Sequence, residues 1–137
     1  YVNNSIATVA SNQSVPLDAT AVSGKACIVH REGSGQITLR GLTNQNRALF
    51  RVSFGGNIAI PTEGTDEANT AAIDINREPL TSATATVTPA AVENYFNIYV
   101  SAQVCVPKGC CLTVAMENTS TQAVNFANSN LTVERIA

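Results

Sequence analysis

The chain reads as an all-β protein, a two-sheet jelly-roll sandwich of about eight to ten strands, and three observations predict it. Phe50-Arg51-Val52-Ser53-Phe54-Gly55-Gly56-Asn57-Ile58 and Glu93-Asn94-Tyr95-Phe96-Asn97-Ile98-Tyr99-Val100 both alternate apolar with polar residues over a strand's length. A period of two puts one face on a core and the other on water or a partner, and it cannot make a helical stripe. Thr, Val, Ile and Ala also dominate short segments punctuated by Gly, Pro, Asn and Asp, while helix signals are almost absent.

In chain order, the expected strands are Ser5 to Ala10, Val15 to Leu17, Cys27 to His30, Gln36 to Leu39 and Ala48 to Gly56. They continue with Ala71 to Asn76, Ala83 to Val87, Tyr95 to Val106, Cys111 to Glu117, Ala123 to Ala127 and Asn130 to Ile136. Glu32-Gly33-Ser34-Gly35 and Asn76-Arg77-Glu78-Pro79 carry the residues of tight turns and are read as hairpin-like links. Pro61 to Asn69, with three carboxylates and no apolar anchor, is expected to be an exposed loop. One helical turn is expected over Thr88 to Glu93, with Thr88 as N-cap and Pro89 at the first helical position.

The 137 residues suit one domain spanning 1-137, with no repeat and no low-complexity linker to divide it. Charged residues make up 13% and the net charge is -2, which argues against the clustered Lys and Arg that nucleic acid demands. No apolar run approaches the roughly 18 to 20 residues of a membrane helix, so no membrane insertion is expected. The chain opens on Tyr1 rather than Met, as expected where a preceding residue or segment has been removed or left out.

Chemistry-bearing motifs are sparse. No nucleophile elbow, phosphate-cradling loop or metal-binding helix motif is present, and Gly55-Gly56 ends a strand with no helix signal after it. Carboxylates neighbour one another at Asp66-Glu67 and at Asp74 with Glu78, but sequence proximity does not supply catalytic geometry. The expectation is therefore a non-enzyme without cofactors. Glu63, Asp66 and Glu67 offer oxygen ligands for calcium without the spacing of a known calcium loop.

The cysteines carry the only reactive side chains that stand out. Cys105 and Cys110 flank a Pro-Lys-Gly turn, and if that segment is a hairpin they could close a disulfide at a Cα separation of about 5 to 6 Å. Cys27 would then pair with Cys111 or stay free. Buried thiols acting as small apolar residues are the alternative. A zinc site from Cys27, His30, Cys105 and Cys110 is weaker, because strand alternation sends Cys27 and His30 to opposite faces. His30 is the single histidine and has no evident catalytic partner.

The layout resembles the jelly rolls of the tumour-necrosis-factor and C1q type, especially phage and bacterial versions. The residues that carry this are Ser-Ile-Ala-Thr-Val-Ala from Ser5, Ser14-Val15-Pro16-Leu17, the Gly-Ser-Gly turn before Ile37-Thr38-Leu39-Arg40, and Phe50 to Gly56. Ala72 to Leu80, Val114 to Ser120 and Ala123 to Val133 extend it over nearly the whole chain. The segments Ile37 to Gly56 and Val87 to Phe96, with Gly109-Cys110-Cys111, look most like small phage virion proteins of decoration or fibre-tip type. Related spore-surface proteins carry collagen-like Gly-X-Y repeats before this domain, and none is present here.

The resemblance implies a homotrimer on a virion surface, a capsid decoration or head-fibre module whose partners are itself and a capsid or fibre protein. A receptor- or glycan-binding fibre tip facing the host surface, or an extracellular spore or cell-surface trimer, is the alternative. Ala102, Val104, Ala115, Val124 and Ala127 could pack subunit on subunit or fill the chain's own core. Arg51, Ser53, Asn94 and Asn97 are the polar positions where a neighbour would be met.

Overall fold

The computed structural model describes residues 1–3, 5–20, 26–65, 67–88 and 91–137. Among these residues ten strands are formed: β1 (Val2–Asn3), β2 (Ala7–Val9), β3 (Ile28–His30), β4 (Ile37–Arg40), β5 (Arg47–Ala59), β6 (Asn69–Ile75), β7 (Glu78–Val87), β8 (Phe96–Pro107), β9 (Cys111–Asn118) and β10 (Val124–Arg135). Two antiparallel five-stranded sheets result. The first runs β1-β10-β5-β8, with β2 also on β10, and the second runs β3-β4-β9-β6-β7. From β4 onward the chain changes sheet at every connection except the β6–β7 hairpin, the jelly-roll winding that the sequence leads one to expect.

Alternation explains which residues face inward. On β5, Ala48, Phe50, Val52, Phe54 and Ile58 are buried, and on β8 Ile98, Val100, Val104 and Val106 complete the same wall. The opposing wall comes from Ile37 and Leu39 of β4, Val114 and Met116 of β9, and Ala71 and Ile73 of β6. Phe54 meets Phe126 of β10 edge-on, with ring centroids 6.2 Å apart and planes at 79°, the arrangement that aromatic quadrupoles favour. Val104 and Val124 thus fill the protein's own core rather than a partner's, and Ala102 packs against that core.

Departures from the expected elements have local causes. Ala123 to Ala127 and Asn130 to Ile136 belong to one strand, β10, whose pairing with β5 shifts between Ala127 and Asn130. Asn128 stands there at φ 55°, so the polar pair that reads as a break is a bulge. Val15 to Leu17 is not a strand: Ser14 forms an isolated bridge to Glu117 and Val15 N–H donates to Met116 O at 2.8 Å. β7 starts at Glu78, earlier than Ala83, and carries Pro79 because it is an edge strand. The β6–β7 turn holds Asn76 and Arg77 at φ 51° and 70°, a turn of the primed type suited to two-residue hairpins. The helical turn read over Thr88 to Glu93 includes Pro89 and Ala90, which lie outside the described residues.

Candidate functional surface

The outer face of the first sheet is a polar ladder assembled by the same alternation that buries its other side. β5 presents Arg51, Ser53, Gly55 and Asn57, and β8 sets Gln103, Ser101, Tyr99 and Asn97 opposite them in register. β10 adds Glu134, Thr132 and Asn130 on the other flank of β5. The rungs bond to one another: Arg51 Nη1 donates to Glu134 Oε1 at 2.9 Å, Ser53 and Ser101 hydroxyls lie 3.2 Å apart, and Asn97 Nδ2 donates to Asn57 Oδ1 at 3.3 Å. These residues enclose a shallow groove of about 380 Å³ lined by Arg51, Ser53, Gly55, Tyr99, Asn130, Thr132 and Glu134.

Tyr99 dominates the groove, 67% exposed, on the strand position facing Gly55. A Cβ at Gly55 would sit 3.8 Å from the Tyr99 ring, at ordinary contact distance, so the ring lies beside the Gly55 backbone. Tyr95 and Phe96 are also exposed, which places three of the seven large exposed apolar side chains among the described residues within the five residues from Tyr95, just before β8, to Tyr99. β8 is an edge strand with no partner on its far side among the described residues. The outward placing of Arg51, Ser53 and Asn97 agrees with the sequence, while Asn94 precedes β8.

The cysteine and metal expectations fare differently. β8 and β9 lie in different sheets, so the hairpin on which a Cys105–Cys110 bridge was premised does not exist, and their link is a crossover. All four cysteines are free: Cys27 is buried, and Cys105, Cys110 and Cys111 are exposed. Among the described residues no group of three or more His, Cys, Asp or Glu side chains converges, so Cys27, His30, Cys105 and Cys110 are not brought together for zinc. His30 instead stacks at 4.5 Å on Tyr1, and its Nε2 lies 2.9 Å from Ser34 O. Since a carbonyl only accepts, that nitrogen carries the proton. In the proposed calcium loop, Glu67 Oε1 accepts from Thr121 Oγ1 at 2.7 Å, and Asp66 lies outside the described residues.

The structure also makes a pairing that sequence proximity hides. Asp74 does not meet Glu78, which pairs with Ile75 and is exposed. Asp74 is 1% exposed and neither of its oxygens has a donor, while Glu117 on the neighbouring strand is 4% exposed. Burial and then the charge of Glu117 raise the Asp74 carboxyl to about 6, with Arg77 pulling the other way. A signal was available: Asp74 interrupts the otherwise apolar run Ala71 to Ile75, and Glu117 directly follows the apolar run Val114 to Met116. A second open groove, of about 660 Å³, follows the β6–β7 hairpin past Asn76, Pro79 and Thr81.

No protein-family model matches the chain, and no curated protein matches it. Among solved structures, a similar one is the EclA C-terminal domain, described as a sugar-binding protein, at 14% identity and a TM-score of 0.42. The match covers 98% of this chain and 81% of that one. A likeness this weak carries no function across.

Proposed function

We propose that this chain is a non-enzymatic structural module of a phage virion, a homotrimer that associates through the outer face of the first sheet and its free β8 edge. The observation that carries this is the concentration of Tyr95, Phe96 and Tyr99 at the start of an unpaired edge strand and just before it, beside a face whose middle is uncharged apart from the Arg51–Glu134 pair. Exposed aromatic side chains are the usual anchors of protein interfaces, and interface centres are depleted in Lys, Glu and Asp. An edge strand left bare invites another chain, and here neither Lys nor Pro guards the first eleven residues of β8. The jelly-roll winding and the resemblance of the sequence to phage decoration and fibre proteins supply the remaining support.

Mass measurement in solution tests the assembly: a trimer of the 14.3 kDa chain is expected, and Tyr99→Lys combined with Phe96→Ser gives a folded monomer. A monodisperse wild-type monomer at micromolar concentration would overturn the trimer. Stoichiometric recovery in purified particles tests the virion role.

A second reading rests on the groove itself. An exposed ring flanked by hydroxyl, amide and guanidinium groups has the chemistry of a sugar-stacking platform, with Tyr99 as the stacking face and Ser53, Asn130 and Thr132 as hydroxyl partners. Glycan-array binding lost in Tyr99→Ala but retained in Arg47→Ala would favour it.

A further inference from the structure

Asp74 of β6 and Glu117 of β9 stand diagonally across neighbouring strands, since Ala72 pairs with Glu117 and Asp74 with Ala115. Both carboxyls lie on the side of the second sheet that turns away from the core residues Ile73, Val114 and Met116, yet both are nearly sealed from water. Asp74, whose carboxyl oxygens have no donor, lies beside the buried Glu117, and two neighbouring carboxylates so placed cannot both carry charge at ordinary cost, so the arrangement is satisfied when one proton lies between them.

A short strap lies against this pair. Asn12 N–H donates to Asn118 O at 2.7 Å, Asn118 N–H to Gln13 O at 2.9 Å, and Val15 N–H to Met116 O at 2.8 Å. Ser14 is thereby set opposite Glu117, and its hydroxyl is buried without a partner. Arg77 Nη2 donates to Asn12 O at 3.2 Å, tying the β6–β7 turn to the strap. Glu117 and Arg77 are the charged groups acting on Asp74; β7 sets the uncharged Pro79 opposite it, and residues 12–15 of the strap bring no charge.

We propose that Asp74 and Glu117 share a single proton and that this proton latches the strap of residues 12–15 onto β9. With the proton present, one carboxyl donates to the other and Glu117 presents a settled neighbour to Ser14. Once it leaves, two like charges face each other with one guanidinium between them, and Arg77 is drawn from Asn12 O toward the carboxylates. The strap's backbone bonds to β9 then open, beginning at Asn12, while Ile73, Val114 and Met116 stay packed on the opposite face of the sheet.

The direction follows from linkage. The closed state holds its proton more tightly than the open state, so closure is complete below the ordinary carboxyl value of 3.8 and weakens as pH rises through about 6. Between pH 4.5 and 7.5 the opening equilibrium should increase by roughly 10-fold or more.

The test is amide hydrogen exchange on the full chain, corrected for intrinsic rates, followed at Asn12, Val15 and Asn118 with Phe54 and Leu131 as core references. Strap protection is expected to fall by that factor across the window while core protection holds, and Asp74→Asn is expected to flatten the strap's response. Equal protection at both pH values, or the same fall in the variant, overturns the proposal. Carboxyl carbon-13 titration of the wild type decides the matter without any variant: a midpoint near 6 for Asp74 supports it, and an Asp74 midpoint below 4.5 sinks it. Should Asp74→Asn not fold, Glu117→Gln serves the same comparison.

Discussion

Replacing Asn118 with Ala should be among the most damaging single changes outside the apolar core. Its side chain is fully buried and joins three separate segments. Nδ2 donates to Val9 O at 2.8 Å and to Gln122 O at 3.0 Å, while Oδ1 accepts from Ser120 N–H at 3.0 Å. Truncation strands two carbonyls and one amide, and each buried orphan costs about 1–3 kcal/mol. Partial relaxation of the exposed side of the β9–β10 turn reduces the sum, giving an expected loss of about 3–5 kcal/mol. Urea denaturation with an unchanged m value measures it. Asn118→Asp supplies the control: it keeps the shape and the Ser120 contact but turns a carboxylate toward both carbonyls. Its deficit relative to wild type should therefore shrink as pH falls and the new carboxyl acquires a proton. A loss below about 1 kcal/mol for the Ala variant, or a pH-independent deficit for Asp, would refute the account of Asn118 as a donor-limited hub.

Other expectations follow from single features. Asp74→Asn should raise stability by about 1–3 kcal/mol at pH 8 and change little at pH 4, because a carboxyl held near 6 in the fold opposes folding only where it must ionise; chemical denaturation at the two pH values checks the sign. Gly41→Ala should destabilise strongly, since a Cβ there would fall 2.2 Å from Pro107 O, a backbone atom that cannot swing aside, and the melting temperature reports it. Phe54→Ala should cost about 3–5 kcal/mol through the cavity and the lost edge contact with Phe126, measured by equilibrium unfolding. Arg51→Ala, which breaks an ion pair whose members are about half exposed, should shift the stability of the folded chain by less than about 1 kcal/mol, read from urea denaturation.

Strand and face were readable where alternation is unbroken. Phe50, Val52 and Phe54 inward with Arg51 and Ser53 outward follow from period two alone, and the register of β5 with β8 turns that local pattern into the polar groove. Bulges and edge strands were not readable in the same way. Asn128 and Ser129 look like a chain break because their polarity is a local property, whereas the continuity of β10 is enforced by β5 alongside it. Glu78 to Ser82 is polar because an edge strand needs little burial. The Cys105–Cys110 expectation failed on topology, since a Pro-Gly turn has the same local chemistry whether its flanking strands pair or part. Asp74 and Glu117 are separated in the chain by two whole strands, β7 and β8, and only the β6–β9 ladder brings them together.

The position of β10 has a consequence for how the molecule comes into being. β1 and β2 pair with no strand except β10, and β10 is also the inner neighbour of β5. During synthesis β1 and β2 therefore wait, without a strand to join, until β10 has emerged. The nascent chain meanwhile exposes one long side of β5, a thirteen-residue strand rich in buried apolar positions. Closure of the first sheet is a late, long-range event, and the interval before it is when unfinished copies are most prone to pair with one another.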